Sequence, residues 1–208
     1  PLRRQRQMCI RDSVWAVPSN TVNNEIDEKP WQIAPAISEQ IYTLEDALLF
    51  AEMQMVIIRN ADAIKIACQS LLTNISACIM TEKGGGHWLQ TIYYPFYYFA
   101  NYAKGIVLNV SSTGPVYDCK EFNNVPYVDS IVVWNDEDGE LVFFAVNRDE
   151  DNKQKVSLQL SDFEVDSVIE SIGMTAADKK MTNQFQHDAV KPETVDNCLL
   201  YTSDAADE

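Results

Sequence analysis

The stretch "YVDSIVVWNDEDGELVFFAVNRDEDNKQKVSLQLSDF", residues 127–163, constrains the fold more than any other part of the chain. Apolar and polar residues alternate along it, so extended backbone would put an apolar surface on one side and a wet one on the other. Turn-forming clusters at 135–139 and 148–153 interrupt the alternation. Asp138-Gly139, set between two alternating runs, is a strong hairpin signal. The region from residue 106 onward therefore reads as antiparallel β structure. Its Asp-rich turns invite calcium, but an EF-hand loop needs oxygen ligands at its first, third and fifth positions and Gly at its sixth. Gly139 in the sixth place puts Trp134 first, and "NRDEDN" offers Asn152 where Gly belongs. Both are read as solvated turns.

Upstream the period changes. In "TLEDALLFAEMQMVIIRN" the residues Leu44, Leu48, Ala51, Met55 and Ile58 recur at helical spacing. Thr43 suits the N-cap, Glu45 and Asp46 face the positive end of the dipole, and Arg59 and Asn60 suit the end. Leu49, Met53 and Val56 widen the apolar face, as packing on a barrel or sheet requires. "AIKIAC" at 63–68 is expected to be a buried strand, and the apolar "LLTNISACIM" after it a short packed helix. Helix, buried strand, helix is the order of an α/β fold with parallel strands. Residues 18–42 hold three prolines and an acidic cluster, which reads as a long loop pinned by Trp31.

Between these regions lies "GGGHWLQTIYYPFYYFANYAKG", residues 84–105. Gly84 to Gly86 form a flexible loop, and Pro95 suits the first turn of a helix ending before Gly105. Rings at 93, 94, 96, 97, 98, 99 and 102 point in every direction around that helix. A sugar platform needs rings on one accessible face, so the expectation is burial between layers. His87, Trp88 and Gln90, before the helix, are better placed to touch a ligand.

A net charge of −15 argues against a nucleic-acid surface, which needs clustered Lys and Arg. No apolar run approaches the roughly 20 residues of a membrane span, and the start lacks the apolar core of a signal peptide. Five cysteines at unrelated spacings read as free thiols of a reducing compartment. The two histidines are far apart and lack a cysteine pair, so no zinc site is expected. Asn74-Ile75-Ser76 and Asn109-Val110-Ser111 match the glycosylation pattern, which arises easily by chance. The end strings "PLRRQRQMCIR" and "CLLYTSDAADE" resemble read-through of sequencing-library adapters, so residues 1–12 and 198–208 are expected to be non-native. The other reading is a basic arm and an acidic tail.

"QIYTLEDALLFAEMQMVIIRNADAIKIACQSLLTNISACIMTEKGG", then "WLQTIYYPFYYFANYAKG" and "FFAVNRD" at 143–149, closely resemble the α-L-arabinofuranosidases of glycoside hydrolase family fifty-one. The likeness covers roughly residues 13–190. It implies an α/β plus β architecture: the C-terminal end of a (β/α)8 barrel at 13–105, then an incomplete antiparallel β-sandwich of jelly-roll type at 106–197. The helix at 44–59 would be the seventh barrel helix and residues 64–67 the eighth strand. The family cleaves terminal arabinofuranosyl groups from arabinan, arabinoxylan and their oligosaccharides with retention, using two carboxyl groups about 5 Å apart. A nucleophile pattern like D-E-W-N-x-W, with its last Trp on Trp15, puts Arg11 at the nucleophilic Glu, Asp12 at the first Trp and Ser13 at the Asn. The acid/base belongs further upstream, so both catalytic carboxylates are expected to be missing and the chain inactive. The resemblance implies substrate contact at Trp15 and at an amide position where Leu71 stands; Gln69, two residues earlier and on the same face of an extended strand, is a substitute, beside the loop candidates Trp88 and Gln90. It also implies a cytoplasmic homo-oligomer with no metal or organic cofactor. Glu82 is read as a loop residue. Two alternatives stay open: a non-catalytic carbohydrate-binding or scaffold β-module, and an inactive homologue with genuine ends.

Overall fold

A computed structural model describes residues 31, 33, 39–69, 71–160, 163–195 and 200–202. Helix α1, Leu44–Arg59, begins at Thr43 with a reciprocal capping box. The Thr43 hydroxyl oxygen accepts from Asp46 N–H, and the Asp46 carboxylate accepts from Thr43 N–H at 2.8 Å. The two preceding donors of the first turn, Leu44 and Glu45, are taken by the carbonyls of Met181 and Lys179, each at 3.0 Å. A distant segment thus satisfies groups that a helix cannot satisfy internally. Asn60 ends the helix as expected, its side-chain N–H donating to Val56 O at 2.8 Å.

Strands β1 (Ile79–Thr81) and β2 (His87–Leu89) form an antiparallel hairpin, followed by α2, Tyr93–Tyr102. Strand β3 (Ile106–Leu108) joins β6 (Val128–Asn135) and β7 (Glu140–Asn147) in a three-stranded antiparallel sheet with β6 in the middle. The expected hairpin is present: β6 and β7 pair with Ile131 opposite Phe144, and Gly139 takes φ +69° in the turn. Ile131, Val132 and Val133 are all buried, so β6 is covered on both faces, as in a sandwich. Among the described residues four shorter strand pairs complete the sheet content: β4 (Val116–Tyr117) with β5 (Val125–Pro126), β9 (Ile172–Met174) with β10 (Pro192–Thr194), β8 (Ser157–Gln159) with β11 (Leu200–Thr202), and the β1–β2 hairpin.

Helix α1 lies across two core clusters. Its Phe50 packs with Tyr42, Ala47, Cys78 and Ile92, whereas its Met55 packs with Phe99, Ile131, Val133 and Val146. Helix α2 reaches both: Phe96 meets Phe50, and the Phe99 ring stacks on Phe144 with centroids 4.3 Å apart. Gly105 lets the chain leave α2 directly against β6. A Cβ there would stand 2.1 Å from the Trp134 carbonyl oxygen, and φ is +116°.

Several expectations fail. Residues 64–69 form no strand, and Ile66 is 80% exposed. The hydrogen bonds of a parallel strand all go to its neighbours, and no described strand flanks this one. The barrel strand is therefore not formed among the described residues. The helix expected at 71–80 is replaced by a turn and β1, because Leu71, Asn74 and Ser76 adopt left-handed backbone. The Asn74 side-chain oxygen accepts from Thr81 N–H at 2.9 Å, a local bond that competes with helix. Trp31 pins nothing, since it is 98% exposed. Nor is α2 buried all round: Tyr97 is 43% and Tyr102 38% exposed. Among the described residues no helix is long and apolar enough to cross a membrane.

Candidate functional site

The β1–β2 hairpin and the segment 69–78 bring three of the sequence-predicted contact residues into one neighbourhood. Gln69 donates to Ser76 O at 3.4 Å, and Gln90 donates to the adjacent Ala77 O at 2.8 Å. Both amides therefore hold one short stretch of backbone. Gln90 is 1% exposed; it also donates to Gln40 O at 2.9 Å and accepts from Tyr42 N–H at 3.0 Å. Both N–H groups of its amide are spent on backbone carbonyls, which makes it a structural clasp.

Trp88 sits on β2 opposite Met80, with its ring edge-on to Phe185 at 6.4 Å. Its indole N–H is buried and has no partner among the described residues. A buried donor left unpaired costs free energy, so this indole N–H detracts from the stability of the hairpin. Leu71 points no amide anywhere: it is an apolar residue, 53% exposed, at φ +62°. Trp15 lies outside the described residues. Glu82 belongs to the β1–β2 loop, where its backbone N–H donates to Gly86 O at 3.0 Å.

Below this neighbourhood are two weakly acidic groups, Tyr42 and Cys78. Burial pushes the Cys78 thiol up to about 11. Burial, reinforced by the charges of Asp46 and Cys78 and opposed by a Ser76 hydrogen bond, pushes Tyr42 up to about 12. Neither offers an anionic nucleophile at neutral pH.

Carboxylates converge elsewhere, at the seam between α1 and the sheet. Arg148 is ion-paired to Glu52 of α1 and, at 3.2 Å, to Asp129 of β6, which also pairs with Arg59. Burial opposes the Arg148 charge, but the Glu52 hydrogen bond and the Glu52 and Asp129 charges hold the guanidinium above its ordinary range. These carboxylates are thus engaged in holding helix to sheet. Among the described residues no group of His, Cys, Asp and Glu is arranged to hold a metal ion.

Sequence reasoning missed two features of this molecule. The Arg148 cluster joins residues far apart in sequence, so no local signal announced it. The tyrosines of α2 did carry a signal: plotted around the helix, 93, 94, 97, 98 and 102 occupy about half of the circumference, and the phenylalanines the other half.

Residues 14–204 match the family described as the alpha-L-arabinofuranosidase C-terminal domain. The chain belongs to that family. Its arabinofuranosidase relatives include an intracellular exo-α-(1→5)-L-arabinofuranosidase of Halalkalibacterium halodurans, 42% identical over 78% of this chain and 33% of the relative. A like-named enzyme of Bacillus subtilis is 41% identical over 83% of this chain and 35% of its own. Among solved structures, a family fifty-one α-L-arabinofuranosidase of Bifidobacterium longum superposes with a TM-score of 0.73 at 27% identity, covering 83% of this chain and 34% of that one. The Thermotoga petrophila family fifty-one enzyme, at 18% identity and a TM-score of 0.65 over 79% of this chain and 36% of its own, supports the fold alone. The chain thus spans about a third of the length of the curated relatives it matches. The resemblance read from the sequence holds, and the sheet-rich architecture fits a β-sandwich.

Proposed function

We propose that this chain serves as the C-terminal part of a retaining α-L-arabinofuranosidase that removes terminal arabinofuranosyl groups from arabinan, arabinoxylan or their oligosaccharides. The observation that carries this is the family match across residues 14–204, joined to relatives named for exo-(1→5) cleavage. The jelly-roll type of the sandwich at 106–197 belongs to the same proposal, as do a cytoplasmic location and assembly into homo-oligomers. The relatives' names, which say intracellular, support the location.

In such an enzyme one carboxylate attacks the anomeric carbon while a second protonates the leaving oxygen and then activates water. This chain by itself is proposed to be inactive. Glu52 and Asp129 are both ion-paired to Arg148 at the seam between α1 and the sheet, and sequence alignment leaves Arg11 at the nucleophile's place. Substrate contact is assigned to Trp88, Gln69 and Trp15. Gln90 instead holds the backbone of Gln40, Tyr42 and Ala77.

The test uses three proteins and an aryl α-L-arabinofuranoside. The 208-residue chain should show no turnover. A chimera joining it to the preceding two-thirds of the Bacillus subtilis relative should hydrolyse the substrate, while that two-thirds alone should not. A folded but inactive chimera, or an active isolated chain, would contradict the proposal.

A further inference from the structure

The segment that supplies carbonyls to the start of α1 continues onto the β1–β2 hairpin. Thr182 bridges to Thr43, and Asn183 then fastens the chain to β2. The Asn183 side-chain N–H groups donate to Leu89 O at 3.1 Å and to Val190 O at 2.7 Å, and its oxygen accepts from Val190 N–H at 2.8 Å. Asn183 and Val190 are both buried. Between these two fixed points Gln184 and His187 exchange backbone hydrogen bonds, each at 3.0 Å, which closes a tight loop. Phe185 stands on that loop, half-buried and a member of neither core cluster. Its ring meets the Trp88 indole near edge-on, with centroids 6.4 Å apart and planes at 63°. The same ring occupies the space beside Gly86, where a Cβ would stand 2.7 Å from Phe185 Cε2.

We propose that Phe185 is a positioning residue for Trp88: it holds the indole in one orientation and so tightens the grip on an arabinofuranosyl group without touching the sugar. An edge-to-face ring pair has a preferred geometry, so fixing one ring restricts the other. Here the fixed partner is Phe185, because its loop is anchored at both ends by the buried Asn183 clasp. A contact side chain already locked in place loses less freedom when the ligand arrives, and the ligand is held more tightly for it. Gly86 leaves the room that the ring needs. The link to substrate rests on the proposed contact at Trp88; the ring pair itself rests on the geometry.

The experiment reads Phe185→Ala in two ways: near-UV circular dichroism of the full chain, and kinetics of the chimera on the aryl arabinofuranoside. The band lost in Trp88→Leu identifies Trp88, and Phe185→Ala should weaken that same band. In the chimera Phe185→Ala should raise KM about three- to tenfold with kcat unchanged. It should add nothing further in a Trp88→Leu background, because the effect passes through the indole. Phe185→Tyr, which keeps the ring, should keep KM near the wild-type value, whereas Gly86→Ala, which displaces the ring, should raise it. If Phe185→Ala melts early, Phe185→Leu supplies the same readouts. Three results would overturn the proposal: an unchanged Trp88 band, an unchanged KM in an active chimera, or the same rise in KM whether or not Trp88 is present. Each of these leaves the enzymatic reading standing. A folded chimera without hydrolysis would sink that reading, and this inference with it.

Discussion

Arg148, just beyond β7, is ion-paired to Glu52 in the middle of α1, 96 positions earlier in the chain. With Asp129 and Arg59 it forms an alternating series of charges across the seam between helix and sheet. Both partners are largely covered, with side chains 23% and 21% exposed. Removing one charge therefore strands the others where water cannot fully replace it.

Arg148→Met is expected to destabilise the fold by about 1–3 kcal/mol, less than for a fully buried pair because part of the cluster is wet. Chemical denaturation would measure it. A double-mutant cycle with Glu52→Gln should give a coupling on the order of 1 kcal/mol that shrinks as salt is added. Additive single effects would mean that the pair contributes nothing to docking α1.

Gly105 and Gly139 separate two costs of replacing glycine. Both hold positive φ, but a Cβ on Gly139 meets nothing within 4 Å, whereas one on Gly105 collides with the Trp134 carbonyl oxygen. Gly139→Ala should cost about 1 kcal/mol, and Gly105→Ala clearly more than about 2 kcal/mol, because the exit of α2 must move. Equal shifts in melting temperature would show that the close approach to β6 yields readily.

Gln90 and Trp88 should behave oppositely. Gln90→Leu removes the partner of three backbone groups and is expected to destabilise by about 2–4 kcal/mol. Trp88→Phe removes an indole N–H that has no described partner, so stability should change by less than about 1 kcal/mol. In the active chimera, however, Trp88→Phe should raise KM. A stable Gln90→Leu protein would refute the clasp.

Alkaline pH should unfold the protein through Cys78 and Tyr42. Both are neutral acids whose folded-state values lie above their ordinary ones, from 9.0 to about 11 and from 10.0 to about 12. The folded state then holds its protons more tightly, so the stability is present below pH 9 and is lost as pH rises through 9 to 12. Urea midpoints at pH 8 to 11 should fall across that window, and Cys78→Ala should flatten the part between pH 9 and 10. At neutral pH an alkylating reagent should modify the exposed Cys68 and Cys119 before Cys78.

Much of the local structure was legible before any coordinates. The N-cap at Thr43, the stop at Asn60 and the turn at Asp138-Gly139 depend on chemistry within a few residues, and each appears where expected. The same kind of reasoning failed at 64–69 and 71–80. An apolar hexamer becomes a strand only if neighbours accept its hydrogen bonds, and three left-handed residues close together cannot be read from apolar composition. At the candidate site Trp88 and the two glutamines were named from sequence, but their roles were not. An amide reads the same whether it will meet a sugar or three backbone groups.

Period and cap chemistry thus determined by themselves where α1, the aromatic helix and the β6–β7 hairpin lie, because those signals act over one or two turns of chain. Only the tertiary structure decided which side of α2 is wet, that Gln90 is spent inside, and that Arg148 ties helix to sheet. The reason is physical: burial and charge pairing belong to surfaces that meet across many intervening residues, and no single segment contains both halves of the contact.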